Sequence, residues 1–252
     1  MIVLQSSPFS MAGRVALVTG ASSGLGAHFA QVLAAAGAEV ILAARREDAL
    51  ARVARGIAGD VSTLRLDVTD TASIAAAAGV LARVDVLINN AGVVAEAAAL
   101  DQDEAGWDSV LDTNLKGMFL LAQAACRAMR ARGTPGAIIN IASILGLRQT
   151  GGVLPYAVSK AGVIQLTKTL ALEVARFGIR VNALAPGYIE TDLNAAFWAS
   201  DAGKAMLKRI PQRRLGRLAD LDGPLLLLAS DAGAYMTGTV LAVDGGHLVS
   251  SL

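Results

Sequence analysis

The chain has 252 residues, 54% of them hydrophobic and 17% charged, with 22 Lys and Arg against 21 Asp and Glu and a net charge of +1. That length suits one large domain with a real core, and the apolar composition suits burial against further copies as well as inside. The charge balance argues against a nucleic-acid-binding surface, no apolar run approaches the ~18 residues of a membrane span, and the single cysteine, Cys126, excludes an internal disulfide.

The opening "MIVLQSSPFSMAGR" has no basic leader and does not read as a secretory signal. A cytoplasmic protein follows by default. Residues 1–12 read as a loose N-terminal extension and 13–252 as one domain. Within the domain, "RVALVTG" (14–20) is a short apolar run ending in glycine, and "LGAHFAQVLAAAG" (25–37) has helical periodicity and a terminating glycine. The runs "AEVILAA" (38–44), "STLRLDV" (62–68), "VDVLINN" (84–90), "GAIINIAS" (136–143), "IRVNALAP" (179–186) and "TVLAVDGG" (239–246) follow. Helical stretches separate them, notably at 104–131, which holds Cys126 at a spacing that suits a buried structural thiol, and at 156–177. Short apolar runs without polar alternation, alternating with helices, predict a single-domain α/β fold with a doubly wound parallel sheet. Ligands then bind at the carboxyl ends of the strands.

Chemistry collects after those runs. "TGASSGLG" (19–26) joins the first strand to the first helix, the context in which a glycine loop approaches a dinucleotide pyrophosphate and the helix N-terminus offers N–H donors. Position 44, where an NAD protein is expected to carry a ribose-binding acid, is alanine, and Arg45 and Arg46 follow. A guanidinium there pairs with a 2′-phosphate, so NADP(H) is favoured over NAD(H). The alternative is a pair of ordinary exposed arginines, with Glu47 and Asp48 beside them. Asp67 stands at the third strand end, where it can meet adenine, and "NNAG" (89–92) stands at the fourth, although Asn and Gly also suit a plain turn. Ser143 ends the fifth run, and "PGYIETDL" (186–193) follows the sixth.

"YAVSK" places Tyr156 and Lys160 four residues apart, on one face of a helix. Alone, the pair also fits a solvated helix face. An ammonium about 5 Å from a phenol, at an effective dielectric near 20, favours the phenolate by about 3 kcal/mol. That is roughly two pKa units, which predicts a phenol near pH 8. Ala157, Val158 and Ser159 between them point elsewhere.

The ordered set "TGASSGLG", "NNAG", Asn114, Ser143, "YAVSK", "PGYIET" and "TGTVLAVDGG", spread over about residues 13 to 248, resembles the short-chain dehydrogenase/reductase family. The resemblance implies a Rossmann-type oxidoreductase that interconverts a ketone and a secondary alcohol. In that reading Tyr156 is the general acid/base and Ser143 binds the substrate carbonyl. Lys160 holds the nicotinamide ribose, and Asn114 organises a water relay to it. The implied cofactor-binding set is Gly20, Ser22, Ser23, Gly24, Leu25, Gly26, Arg45, Asp67, Val68, Asn90, Ala91, Gly92, Tyr156, Lys160, Pro186, Gly187, Ile189 and Thr191. Ser22 and Ser23 stand where many NADP-preferring members carry a basic residue, which leaves the 2′-phosphate to Arg45 and its neighbour Arg46. The resemblance also implies a homotetramer built on the two long helices and the last strand.

The segments "VVAEAA", "ILGLRQTGGVLP" and "YIETDLNAAFWASDAGKAM" are expected to line the substrate site. They imply a neutral, fairly hydrophobic ketone or alcohol, with Phe197, Trp198 and Met206 in a lid or in ordinary helix packing. Arg148 is expected to face water, His28 to be structural and His247 to lie near a subunit contact. A 3-oxoacyl-thioester reductase is the rival within the family, kept open by the basic "KRIPQRRLGR" (208–217). A non-catalytic cofactor-binding or scaffold protein on the same fold is the rival outside it. No pair of residues has metal-ligand spacing.

Overall fold

A computed structural model describes residues 7–190 and 198–250. Its strands are β1 (Val15–Thr19), β2 (Glu39–Ala44), β3 (Val61–Arg65), β4 (Val86–Asn89), β5 (Gly136–Ile141), β6 (Ile179–Pro186) and β7 (Val240–Val243). They form a parallel sheet in the order β3-β2-β1-β4-β5-β6-β7. The chain winds outward from β1 in one direction and from β4 in the other. The β1–β4 pair is therefore the topological switch point, where such sheets open a crevice.

Alternation along the strands divides the core into two layers. Ala16 and Val18 of β1 face Phe29 and Leu33 of α1 (Gly24–Ala35), Leu50 of α2 (Glu47–Arg55), and a cluster that continues into Leu225 and Leu228. Leu17 faces the opposite side, with Ile74 of α3 (Thr71–Ala76) and Leu81 of α4 (Ala78–Leu81). Both faces are buried, which explains why the strands read as continuous apolar runs. A side chain such as Leu17, fully buried, is worth about 1.5–3 kcal/mol over its exposed form.

The expected helix over 104–131 is interrupted. It consists of α5 (Glu104–Leu111), a π-helical turn at Asp112–Gly117, and α6 (Met118–Arg132). The wider turn shifts the register of side chains. Asn114 lies fully buried within it. Next come α7 (Leu154–Val174), with Pro155 in its first turn, α8 (Asp201–Leu207) and α9 (Asp222–Ala229). His28 of α1 meets Asp222 of α9 at 2.6 Å, a structural tie between neighbouring helices.

The described part of the N-terminal stretch is anchored rather than loose. The Met11 side chain is fully buried, its N–H donates to Ala36 at 2.8 Å, and Pro8 accepts from the Ala232 N–H at 3.0 Å. One methionine in the turns ahead of β1 gives too little periodicity to reveal this from sequence.

Candidate active site

A cavity of about 880 Å³ opens at the carboxyl ends of β1, β4, β5 and β6. Gly20, Ser23, Leu25, Asn90 and Gly92 line one end of it. Ser143, Tyr156, Lys160, Pro186, Gly187 and Ile189 complete the set of expected residues that share it. Ser22, Gly24, Gly26, Arg45, Asp67, Val68, Ala91 and Asn114 are outside its lining. Thr191 and Phe197 lie outside the described residues.

The glycine end is built by close packing. Gly20 has a φ of +65°, and a Cβ there would stand 2.9 Å from the Asn90 amide nitrogen. That amide donates to the Thr19 carbonyl at 2.9 Å, while the Thr19 hydroxyl accepts from the N–H groups of Asn90 and Ala91 at 2.9 and 3.0 Å. Thr19, the first residue of the TGASSGLG loop, thus latches the loop after β4 to the end of β1. Ser23 is the N-cap of α1, but its side chain caps nothing. The first N–H groups of α1 therefore stay available to an anion, as a pyrophosphate requires. This cradle fits a dinucleotide.

The two arginines divide. Arg46, not Arg45, reaches the glycine loop, its Nη2 donating to Ser22 Oγ at 3.0 Å and Ser23 Oγ at 3.5 Å. Arg45 instead acts on Asp67. Partial burial raises the Asp67 pKa, but hydrogen bonds from Thr69 and the charges of Arg45 and Arg65 outweigh it and leave the carboxyl below its ordinary value.

At the other end, Ser143 caps the short turn that follows β5, its Oγ accepting from Leu145 N at 3.1 Å. The hydroxyl proton is left for the cavity side, where the Tyr156 phenol is its neighbour. The turn lies close against α7, because a Cβ on Gly146 would stand 2.7 Å from the Lys160 backbone. Lys160 is 3% exposed, its Nζ donating to the Ile141 carbonyl at 2.7 Å and sitting 5.5 Å from the centre of the Tyr156 ring.

The expected phenol near pH 8 is not found. Dense protein around Tyr156 raises its pKa above the ordinary value, and the Ser143 hydroxyl beside it only partly offsets this. Burial also pushes Lys160 down to about 8. The simple charge argument assumed a fully ionised lysine and a phenol that keeps its hydration, and burial weakens both assumptions.

Asn114 makes no direct contribution to the cavity wall. Its Oδ1 accepts from Val93 N at 2.8 Å, and its Nδ2 donates to Val93 O at 2.9 Å and Ser159 Oγ at 3.1 Å. Ser159 in turn donates to Tyr156 O at 2.7 Å. Ser159 does point away from the Tyr156–Lys160 face, yet it joins the π-helical turn to α7. Its backbone-directed bond is common for a helical serine and carries little sequence signal.

The apolar wall comes from the three expected segments: Val93, Val94, Ile144, Leu145, Val153, Tyr188, Trp198 and Met206. Tyr188 packs edge-on against Trp198 at 5.2 Å and tilted against His247 at 5.6 Å. His247 is thus part of an intramolecular aromatic cluster. Arg148 does not simply face water either. It donates to the His247 carbonyl and, at 2.7 Å, to Ser250 Oγ. Cys126 is buried, and that burial pushes its thiol up to about 11. No metal-binding group of His, Cys, Asp and Glu exists among the described residues.

Comparison with known proteins agrees with this geometry. A family model described as enoyl-(acyl carrier protein) reductase matches residues 20–247. The chain is 40% identical over 238 residues to the 3-oxoacyl-[acyl-carrier-protein] reductase FabG of Escherichia coli (strain K12), covering 93% of this chain and 97% of that one. It is 42% identical over 245 residues to the cis-4-hydroxycyclohexanecarboxylate dehydrogenase of Sinomonas cyclohexanicum, covering 94% and 98%. A crystal structure of a gluconate 5-dehydrogenase from Burkholderia cenocepacia J2315, in complex with NADP and tartrate, superposes with a TM-score of 0.91 at 38% identity, covering 97% and 98%. With this cradle, this cavity and relatives that match it almost end to end, the chain belongs to the short-chain dehydrogenase/reductase family and is an NAD(P)-dependent oxidoreductase interconverting carbonyl and alcohol.

Proposed function

We propose that the protein reduces a neutral, largely apolar ketone with NADPH, or runs the reverse oxidation, using Tyr156 as the proton donor and acceptor. The observation that carries this is one cavity in which the Tyr156 phenol, the Ser143 hydroxyl and the Lys160 ammonium face a mainly apolar wall. NADP(H), when bound, supplies or takes the hydride. Ser23, Leu25, Asn90, Gly187 and the N-terminal N–H groups of α1 would hold it, with Arg46, Ser22 and Ser23 at the 2′-phosphate.

For reduction, a phenol that stays protonated is the useful form, because the carbonyl oxygen needs a proton as it gains charge. The Ser143 hydroxyl donates to the same oxygen and orients it. Lys160 supplies positive charge beneath the phenol at pH values below about 8. Asn114 acts as a positioning residue, holding Val93 and Ser159 and through them α7.

A 3-oxoacyl thioester remains the second reading, favoured by the FabG relative and by three cations of the 208–217 segment. Arg214 and Arg217 are both held by Asp220, while Lys208, Arg209 and Arg213 make no ion pair among the described residues. A homotetramer and a cytoplasmic setting belong to the same proposal.

The test is the initial rate of NADPH and NADH oxidation with aryl, alicyclic and 3-oxo-ester ketones near neutral pH. NADPH-dependent turnover is expected, and Tyr156→Phe should lower kcat by about 100-fold or more, the usual weight of a general acid. Cofactor binding without turnover on any carbonyl would remove the catalytic reading. A kcat retained in Tyr156→Phe would remove the role given to the phenol.

A further inference from the structure

Within the proposed ketone cavity, the apolar wall is interrupted by very little charge. Among the described lining residues the charged side chains are Lys160 and Glu96. Lys160 is buried beneath Tyr156 and bound to the Ile141 carbonyl. Arg148, the cation nearest in sequence to the Ser143 turn, is drawn away to the C-terminal segment by His247 O and Ser250 Oγ. No described lining residue therefore offers an accessible cation to a substrate carboxylate.

Glu96 is the opposite case. It is exposed, it lines the cavity, and it makes no hydrogen bond or ion pair among the described residues. Its position is nonetheless defined. The next residue, Ala97, forms a β-bridge with Val153, its N–H donating to Gly152 O at 3.0 Å. That strap leads directly into α7 and Tyr156, so the carboxylate stands at the rim of the substrate end and not over the glycine loop. An unpaired acid at the rim of an apolar cavity repels an anion as it enters. The field is focused by low-dielectric walls and screened by salt.

We propose that Glu96 biases the charge selectivity of this enzyme, disfavouring anionic carbonyl substrates relative to neutral or cationic ones. The inference rests on the ketone-reductase reading above, and it names the residue that biases that reading away from anionic substrates. A single exposed charge acting over several ångströms of partly wet space changes affinity by about five-fold.

The experiment compares two cyclohexanones that carry either a methyl or a carboxylate group opposite the carbonyl, at low and high salt. The readout is the ratio of their kcat/KM values in the wild type, Glu96→Gln and Glu96→Lys. The wild type should disfavour the carboxylate. Glu96→Gln should narrow the ratio about five-fold through KM, Glu96→Lys should narrow it further, and salt should narrow it in the wild type only. A ratio that is the same in wild type and Glu96→Gln at low salt overturns the proposal. Calorimetric titration of the NADP-loaded protein with cyclohexanecarboxylate tests the same point without turnover: tighter binding in Glu96→Gln supports the assignment, and equal binding overturns it. Absence of turnover with both ketones would count against the ketone-reductase reading, and the titration would still decide the role of Glu96.

Discussion

A lysine whose Nζ has the Ile141 carbonyl at 2.7 Å as its hydrogen-bond partner, and whose side chain is almost fully buried, has given up most of its hydration. Its pKa falls from 10.5 to about 8, so charge at pH 7 is held there against the preference of the site. Between those two values the unfolded chain binds more protons than the folded one, and stability therefore rises with pH across that window. At pH 7 the full gap corresponds to at most about 3 kcal/mol, and the lost Ile141 bond offsets about 1 kcal/mol of any gain from removing the charge. Lys160→Met should consequently be more stable than the wild type by about 2 kcal/mol at pH 7. The advantage should fade between pH 8 and 10.5. Urea denaturation across that range checks this, and an advantage that is absent, or constant with pH, would contradict it. The same variant should lose turnover, which would mark the lysine as retained for chemistry and not for folding.

At the scale of elements, the glycine loop and the β2–α2 junction meet through one side chain. Arg46 is the N-cap residue of α2, yet its guanidinium reaches Ser22 and Ser23 before α1. A planar fork held there by two hydroxyls is preorganised for a phosphate. Arg46→Ala should raise KM for NADPH about ten-fold or more with little change for NADH, since a hydrogen bond to a charged group is worth about 1.5–3 kcal/mol. Arg45→Ala, facing Asp67, should do less. Steady-state kinetics with both nucleotides separates the cases. An equal rise for both nucleotides in Arg46→Ala would mean that the arginine braces the loop without reading the phosphate.

For the whole molecule, the outer faces of α6 and α7 leave apolar side chains uncovered. Leu172 is 81% exposed and Phe119 is 36% exposed, and both border a groove with Leu170 and Phe177. Two neighbouring helices of this length, each crossing between parallel strands, suit packing against their copies across a two-fold axis. Leu172→Glu alters a position exposed in a single chain, so it should leave the protomer folded and lower the assembly mass measured by sedimentation. An unchanged mass would remove this face as the proposed interface.

The sequence alone determined the sheet, because strands buried on both faces and separated by amphipathic helices have one dominant solution. It also singled out Ser143, Tyr156 and Lys160 through the family resemblance, and all three line one cavity. Tertiary structure decided what depends on distance and burial between segments far apart in the chain. It placed Arg46 and not Arg45 over the loop serines, and it made Thr19 and Ser159 links between elements. It also drew Arg148 to the C-terminal segment and raised the Tyr156 pKa. Periodicity reports which face a residue takes, but not which side chain lies across a cavity. Electrostatics in particular follows the solvent that a residue loses, and that loss is set by the folded surroundings and not by neighbours in sequence.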